Sequence, residues 1–134
     1  MTRILVAGTS DAIEALSEVM RDEAQLVPAR SVREALDRFD ARIDMVVCNV
    51  RFDESRMFDF LLALRQKPGG ESVRVVSLRI AGSELSSRMR WSIKAALEAL
   101  GVDIFIDVPQ LEADYGRQVA LETLRQIILQ AAKA

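Results

Sequence analysis

Residues 43–50 read Ile43-Asp44-Met45-Val46-Val47-Cys48-Asn49-Val50 and give the strongest indication of fold in this sequence. The four apolar residues from Met45 to Cys48 are too few for a free-standing helix, and they lack the polar alternation of a strand with one solvated face. A short continuous run rich in β-branched residues is typical of a strand buried on both faces, as in a parallel sheet covered by helices. The sequence therefore predicts a central buried strand here.

Asn49 is the strongly polar side chain at the carboxyl end of this strand. In open α/β sheets, ligands and reactive groups gather beyond the carboxyl ends of the strands. We therefore expect Asn49 at the functional edge of the sheet, with an amide in place of an acid or a nucleophile. The amide either binds a ligand or is a buried polar plug hydrogen-bonded to loop backbone, and the plug is the working interpretation.

Strands and helices alternate along the rest of the chain. Further strands are predicted at residues 3–7, 25–29, 73–78 and 102–108, and Pro28 favours an edge position because proline cannot donate to a ladder. The predicted helices are one opened by Asp11 and Glu14 as a capping box, one capped by Ser31, one over residues 57–64, one from Gly82-Ser83 to Leu100, and one from Leu111 or Asp114 to about Ala132. This order predicts one α/β domain over residues 1–134, with a five-stranded parallel sheet and helices on both faces.

Composition narrows the class of protein. The chain has 134 residues, 50% hydrophobic and 28% charged, with a formal net charge of −2, which excludes a disordered chain and gives no basic footprint for nucleic acid. No apolar run is long enough to cross a bilayer, and the single cysteine fits a reducing cytoplasm. The chain contains no histidine, the commonest general base and metal ligand. We expect a cytoplasmic protein that is not an enzyme, holds no metal or cofactor, and binds neither nucleic acid nor membrane.

Several segments match one known pattern in order and spacing. Residues 44–50 place an acid, four apolar residues, a polar residue and an apolar residue in sequence, and residues 58–65 follow as a helix. Residues 101–105 read Gly-Val-Asp-Ile-Phe, and Pro109 comes after the last strand. Over nearly the whole chain, this resembles the receiver domain of bacterial two-component response regulators. The resemblance implies a flavodoxin-like fold with strand order 2-1-3-4-5, a signalling role, and a cis peptide bond before Pro109.

The functional residues of that family do not carry over. By the resemblance, their places are taken by other side chains: Gly8 and Thr9 for the two acids that hold Mg²⁺, Asn49 for the phosphoryl-accepting Asp, Val108 (before Pro109) for the Lys, and Leu78 or, with a shift of one residue, Ser77 for the Thr or Ser that closes the fourth strand. Phosphoryl transfer needs an oxygen nucleophile and a cation, and Mg²⁺ prefers carboxylate oxygens. The sequence therefore predicts a degenerate receiver, or pseudo-receiver, that is not phosphorylated at this pocket.

Two segments near the pocket allow two interpretations each. Gly8-Thr9-Ser10 either holds a phosphate at a helix amino terminus or caps an ordinary helix. Asp53 and Glu54 either replace the missing metal ligands or belong to a solvated loop, which is the working interpretation. The alternative function is a small-ligand sensor that binds a nucleotide, flavin or quinone in the emptied pocket.

Apolar side chains also point away from the predicted core. Trp91 points away from the apolar stripe of the fourth helix, which consists of Leu85, Met89, Ile93, Ala96, Leu97 and Leu100. Tyr115, Val119 and Leu129 lie on the far side of the last helix. Exposed aromatic residues are enriched at interface hot spots, and the resemblance implies a partner face made by the fourth helix, fifth strand and fifth helix. The leading hypothesis is a phosphorylation-independent domain that uses Trp91, Tyr115, Val119 and Leu129 to bind a protein partner or a second copy of itself.

Overall fold

In the computed structural model, which describes residues 1–133, five parallel strands form one sheet in the order β2-β1-β3-β4-β5. The strands are β1 (Arg3–Ala7), β2 (Gln25–Ala29), β3 (Met45–Asn49), β4 (Arg74–Arg79) and β5 (Ile104–Asp107). The helices are α1 (Ser10–Val19), α2 (Val32–Arg38), α3 (Phe52–Ser55), α4 (Met57–Leu64), α5 (Ser87–Ala99), α6 (Val108–Tyr115) and α7 (Arg117–Lys133). The predicted fold class and strand order are confirmed, and β2 with its Pro28 lies at an edge of the sheet.

Strand β3 lies at the centre of the sheet between β1 and β4, and all five of its residues are buried. Val46 and Cys48 belong to the hydrophobic cluster on one face of the sheet, whereas Met45 and Val47 belong to the cluster on the other face. Because helices cover both faces, the strand has no solvated side, which explains its missing polar alternation. Burial of each larger side chain stabilises the fold by about 1.5–3 kcal/mol.

The helices divide into two layers, one on each face of the sheet. On the first face α2, α4 and α5 pack through Ala35, Phe60, Leu61, Leu64 and Leu97. On the second face α1 and α7 pack through Leu16, Leu124, Ile128 and Ala131. The predicted fourth helix corresponds to α5 and the end of the predicted last helix to α7, so these two helices lie on opposite faces of the sheet.

The predicted last helix is two helices, so that prediction is wrong in part. Gly116 ends α6 with φ 87° and ψ 162°, a conformation that only glycine adopts readily, and α7 begins at the next residue. Pro109 lies in the first turn of α6, where its missing N–H needs no partner. No peptide bond is cis within residues 1–133, so the bond before Pro109 is trans and not cis as the resemblance implied. No helix of this described part of the chain, α7 included, is both long and apolar enough to cross a membrane.

The predicted fourth helix is shorter than expected. Helix α5 begins at Ser87, after Ser86 caps it by accepting a hydrogen bond from the Met89 N–H at 3.1 Å. Of the predicted apolar stripe, Leu97 is buried and Ile93 and Leu100 are half-buried, whereas Met89 and Ala96 are exposed. Only the carboxyl-terminal half of the helix therefore packs on the hydrophobic core, and its amino-terminal half is held by polar contacts of Arg90 with Asp107 and Gln110.

Candidate functional site

Asn49 lies at the carboxyl edge of the sheet and is only 3% exposed. Its Nδ2 donates a hydrogen bond to the hydroxyl oxygen of Thr9 at 3.1 Å, and its Oδ1 accepts one from the backbone N–H of Arg51 at 2.9 Å. Both ends of the amide are therefore engaged by protein groups, as expected for a buried polar side chain. This geometry agrees with the interpretation of Asn49 as a buried polar plug. Its bonds to protein groups leave fewer donors and acceptors of the amide for a ligand.

Gly8 and Thr9 lie beside Asn49, as the sequence predicted. A Cβ atom on Gly8 would lie 3.3 Å from the Cβ of Ala12 and 3.7 Å from the Cβ of Asn49, so the backbone packs closely here. Thr9 is the N-cap residue of α1, but its side chain makes no capping bond and donates to the carboxylate of Asp11. The predicted capping box opened by Asp11 is therefore wrong, because Asp11 lies inside the helix and accepts from Thr9.

The remaining predicted pocket residues face the core. Ser77 is buried on the first face, where its hydroxyl donates to the sulfur of Met57 at 3.2 Å, and Leu78 is buried on the second face. Val108 is the first residue of α6 and lies in the same second cluster, with Pro109 half-buried after it. Successive side chains of a strand point to opposite faces, so Ser77 and Leu78 cannot both approach Asn49. The structure brings together Gly8, Thr9 and Asn49 and places Leu78 beside Asn49 as its partner in the register of β3 and β4, whereas Ser77 points to the opposite face.

Arg79 is a residue of this edge that sequence reasoning missed. Strand β4 runs on to Arg79, so this residue closes the strand and not Leu78 or Ser77. Its guanidinium is largely buried and donates to one carboxylate oxygen of Asp107 at 3.1 Å, while Arg90 of α5 donates to the other at 3.0 Å. We call Arg79, Arg90 and Asp107 the arginine–aspartate cluster. Arg79 pairs with Asp107 in the register of β4 and β5. Each residue follows an apolar run, so two opposite charges at the ends of two predicted strands could have indicated this ion pair.

The short element α3 (Phe52–Ser55), which follows β3, is a left-handed turn and not a regular α-helix. Asp53, Glu54 and Ser55 have positive φ, a conformation that costs roughly 1–2 kcal/mol for each residue that is not glycine. Phe52 before them is fully buried and packs edge-on against Phe60, with ring centroids 5.5 Å apart. The burial of Phe52 and its packing against Phe60 offset the strain of the turn.

Asp53 is therefore not a free loop carboxylate. It accepts a hydrogen bond from the backbone N–H of Val32, the first residue of α2, at 2.8 Å and pairs with Arg56 at 3.5 Å, whereas Glu54 is exposed. The prediction of a solvated loop is wrong for Asp53, because this side chain ties the loop to α2. Across residues 1–133, no three His, Cys, Asp or Glu side chains are grouped so that they could hold a metal ion.

Three of the four predicted interface residues are well exposed. Trp91 on α5 is 71% exposed, Tyr115 at the end of α6 is 63% exposed, and Val119 on α7 is 50% exposed. Leu129 is half-buried and packs against the second cluster, so its assignment to a free outer surface is wrong. Because α5 and α7 lie on opposite faces of the sheet, Trp91 and Val119 belong to different layers.

The comparisons with known proteins identify the fold. No family model matches this sequence, and a search of curated proteins finds no match. Among solved structures, the chain is similar to the chemotaxis response regulator CheY4 of Vibrio cholerae, with a TM-score of 0.69 and 20% identity over 95% of this chain and 98% of that one. It is also similar to the response regulator RPA3017 in red light signaling of R. palustris (TM-score 0.67, 21% identity, 95% of this chain and 91% of that one). The non-phosphorylated HemR receiver domain of Leptospira biflexa gives a TM-score of 0.63 at 19% identity, over 90% of this chain and 94% of that one. The chain therefore has the flavodoxin-like fold of response-regulator receiver domains.

Proposed function

We propose that this chain is a receiver-like signalling domain that binds another protein without being phosphorylated at the carboxyl edge of its sheet. The observation that carries the proposal is the state of Asn49, whose buried amide is hydrogen-bonded at both ends to Thr9 and to the backbone of Arg51. An amide is a poor nucleophile, and its nitrogen already donates to a hydroxyl. No acyl phosphate forms on such a group.

The charges at this edge support the same proposal. Mg²⁺ is a hard cation that prefers carboxylate oxygens, but Gly8 and Thr9 supply no carboxylate. Asp107 is the buried acid of this edge, and two guanidinium groups already bind both of its oxygens. A cation there would have to displace Arg79 and Arg90. The edge therefore lacks the charge arrangement that phosphoryl transfer requires.

Protein binding is supported by the exposed side chains of the helices. Trp91 and Tyr115 are the largest exposed aromatic residues, and residues of these two types often dominate the binding energy of protein interfaces. Tyr115 ends the helix that directly follows β5, and Val119 adds exposed apolar surface on α7. The partner is a second copy of the chain or another signalling protein.

The phosphorylation half of the proposal is tested by intact mass measurement after incubation with acetyl phosphate and Mg²⁺. We expect no phosphoryl adduct on the wild-type protein, and none on Asn49→Asp, because this variant restores an acceptor without the metal acids. A stable adduct on the wild-type protein, absent from Asn49→Leu, would overturn the proposal.

The binding half is tested by substitutions on the exposed helices. Trp91→Ala and Tyr115→Ala should weaken self-association or capture of a partner by the immobilised domain. Leu62→Ala is a matched control, because Leu62 is 54% exposed on α4 and lies outside the proposed surface. Equal sedimentation and equal capture for all three variants and the wild type would count against this surface.

A further inference from the structure

An apolar groove lies between α1 and α7, beside the exposed side chain of Val119. Its volume is about 640 Å³, and its apolar lining includes Val19, Val119 and Leu121. We call it the α1–α7 groove. Val119 is half exposed at this site, so the groove presents an apolar surface that no segment of residues 1–133 covers.

The rim of the α1–α7 groove is acidic. Glu18 and Glu122 line it, and Arg125 donates to Glu122 at 3.0 Å and to Glu23 at 2.6 Å. The hydrogen bond from Arg125 holds the pKa of Glu122 below its usual value, so this carboxylate stays charged at neutral pH. Arg125 pairs with Glu122 and with Glu23 beside the groove, and Glu18 is a further carboxylate of the lining, so negative charge is in excess around the groove. An apolar floor with an acidic rim fits a large apolar side chain flanked by basic residues.

Helix α5 carries such an arrangement on its outer surface. Trp91 projects from the helix with 71% of its surface exposed, and Arg88 and Lys94, both exposed, come three residues before and after it. Residues three apart lie on the same side of a helix, so the two cations flank the indole and are separated by about 9 Å along the axis. Exposed Glu98 lies two turns beyond Trp91 on the same side, so this surface carries two cations and one anion close to the indole. We call Trp91 with Arg88 and Lys94 the knob; the acidic groove lies on the other face of the same molecule.

We propose that the partner of this domain is a second copy of itself, with Trp91 of one copy inserted in the α1–α7 groove of the next. Arg88 and Lys94 then face Glu18 and Glu122 across the contact. The inference rests on the proposed protein-binding function and specifies its partner. Knob and groove are different surfaces on opposite faces of the sheet, so the contact is heterologous: each molecule that docks leaves its own groove free. The expected product is a chain of molecules that lengthens with concentration, and not a closed dimer.

Sedimentation velocity over a wide range of concentration tests this arrangement with two single variants. Trp91→Ala removes the knob and Glu18→Lys reverses the charge of the rim, and each should weaken association at least about thirtyfold. An equimolar mixture of the two variants should form a one-to-one dimer, because one variant keeps the knob and the other keeps the groove. Met89→Ala and Asp37→Lys are matched controls, because Met89 is exposed on another side of α5 and Asp37 is exposed on α2. Both controls should associate like the wild type.

The outcomes separate this inference from the proposed function. A wild-type protein that stays monomeric would overturn the inference, as would self-association that Glu18→Lys leaves unchanged or a mixture of the two variants that remains monomeric. None of these results changes the phosphorylation test, which is read by intact mass on the wild-type protein and on the Asn49 variants. High salt should weaken the wild-type association, because it screens the charges of the rim and of the knob; an association that salt leaves unchanged would count against the inference.

Discussion

At the scale of single residues, the amide of Asn49 makes one hydrogen bond across 40 residues of the chain, to Thr9, and one local bond to the loop that follows β3. Its two hydrogen bonds connect β3 to Thr9 at the start of α1 and to the backbone at Arg51. A carboxylate at this place could accept from Arg51 but could not donate to Thr9, whose own hydroxyl hydrogen is used by Asp11. The same atoms that make residue 49 a poor phosphoryl acceptor therefore make it a good structural link.

Replacement of Asn49 by leucine should destabilise the protein by about 1–3 kcal/mol, because it removes two part-buried hydrogen bonds, to the hydroxyl of Thr9 and from the backbone N–H of Arg51. The free energy of unfolding in urea measures the loss. Gln66→Leu is the matched control, because it also replaces an amide by leucine but at an exposed position. A stability of Asn49→Leu equal to that of the wild type would show that the amide is not a structural link.

The arginine–aspartate cluster gives the second prediction at this scale. Asp107→Ala leaves the side chain of Arg79, only 9% exposed, without its carboxylate, and removal of one partner of a buried pair costs about 3–5 kcal/mol. The same substitution removes the side-chain cap of α6, because Asp107 accepts from the N–H of Gln110. The free energy of unfolding in urea measures this effect. Asp103→Ala is the matched control, because Asp103 is an exposed acid four residues earlier. Similar losses of stability in the two variants would contradict the prediction.

At the scale of elements, strands were easier to predict than helix ends. The apolar runs of β1 and β3 lie where they were predicted, because a strand buried on both faces has an uninterrupted apolar sequence. Strand β2 also occupies its predicted residues, although it is a half-buried edge strand. The break between α6 and α7 was missed, since the helical pattern continues through Gly116 and only its backbone conformation interrupts it. The pairing of Arg79 with Asp107 was missed for another reason: it depends on the register of two strands that lie far apart along the chain.

Gly116→Ala should destabilise the protein by about 1–3 kcal/mol, because φ 87° with ψ 162° is strained for a residue with a Cβ. No atom lies within 4 Å of the Cβ that the substitution adds, so the loss is due to the backbone and not to a clash. Thermal unfolding followed by circular dichroism measures both the stability and the helix content. An unchanged stability together with a higher helix content would show that α6 and α7 had fused, contrary to this expectation.

At the scale of the whole molecule, the reactivity of the Cys48 thiol should measure how often the protein unfolds. It lies fully buried in β3, and burial raises the pKa of this thiol to about 12. Since the thiolate is the reactive form, a thiol reagent at pH 8 should modify the native protein only through unfolding. The labelling rate should rise with urea in step with the unfolded fraction; rapid labelling of the native protein would contradict this.

The raised pKa of Cys48 also determines whether the stability of the protein rises or falls with pH. The folded protein keeps the Cys48 proton above the ordinary pKa of 9.0, so its contribution to stability is complete below pH 9 and is lost as pH rises from there toward 12. Stability should therefore fall in this window, and Cys48→Ala should flatten the fall. An equal slope for both proteins would contradict this.

The two outer strands have a consequence for how the purified protein behaves. Pro28 removes a backbone donor from β2, and β5 at the opposite margin is only four residues long and ends in Asp107. Both margins therefore offer poor templates for intermolecular strand addition. Oligomers that form in solution should therefore dissociate into monomers on dilution. They should also fail to bind thioflavin, which binds amyloid-like deposits.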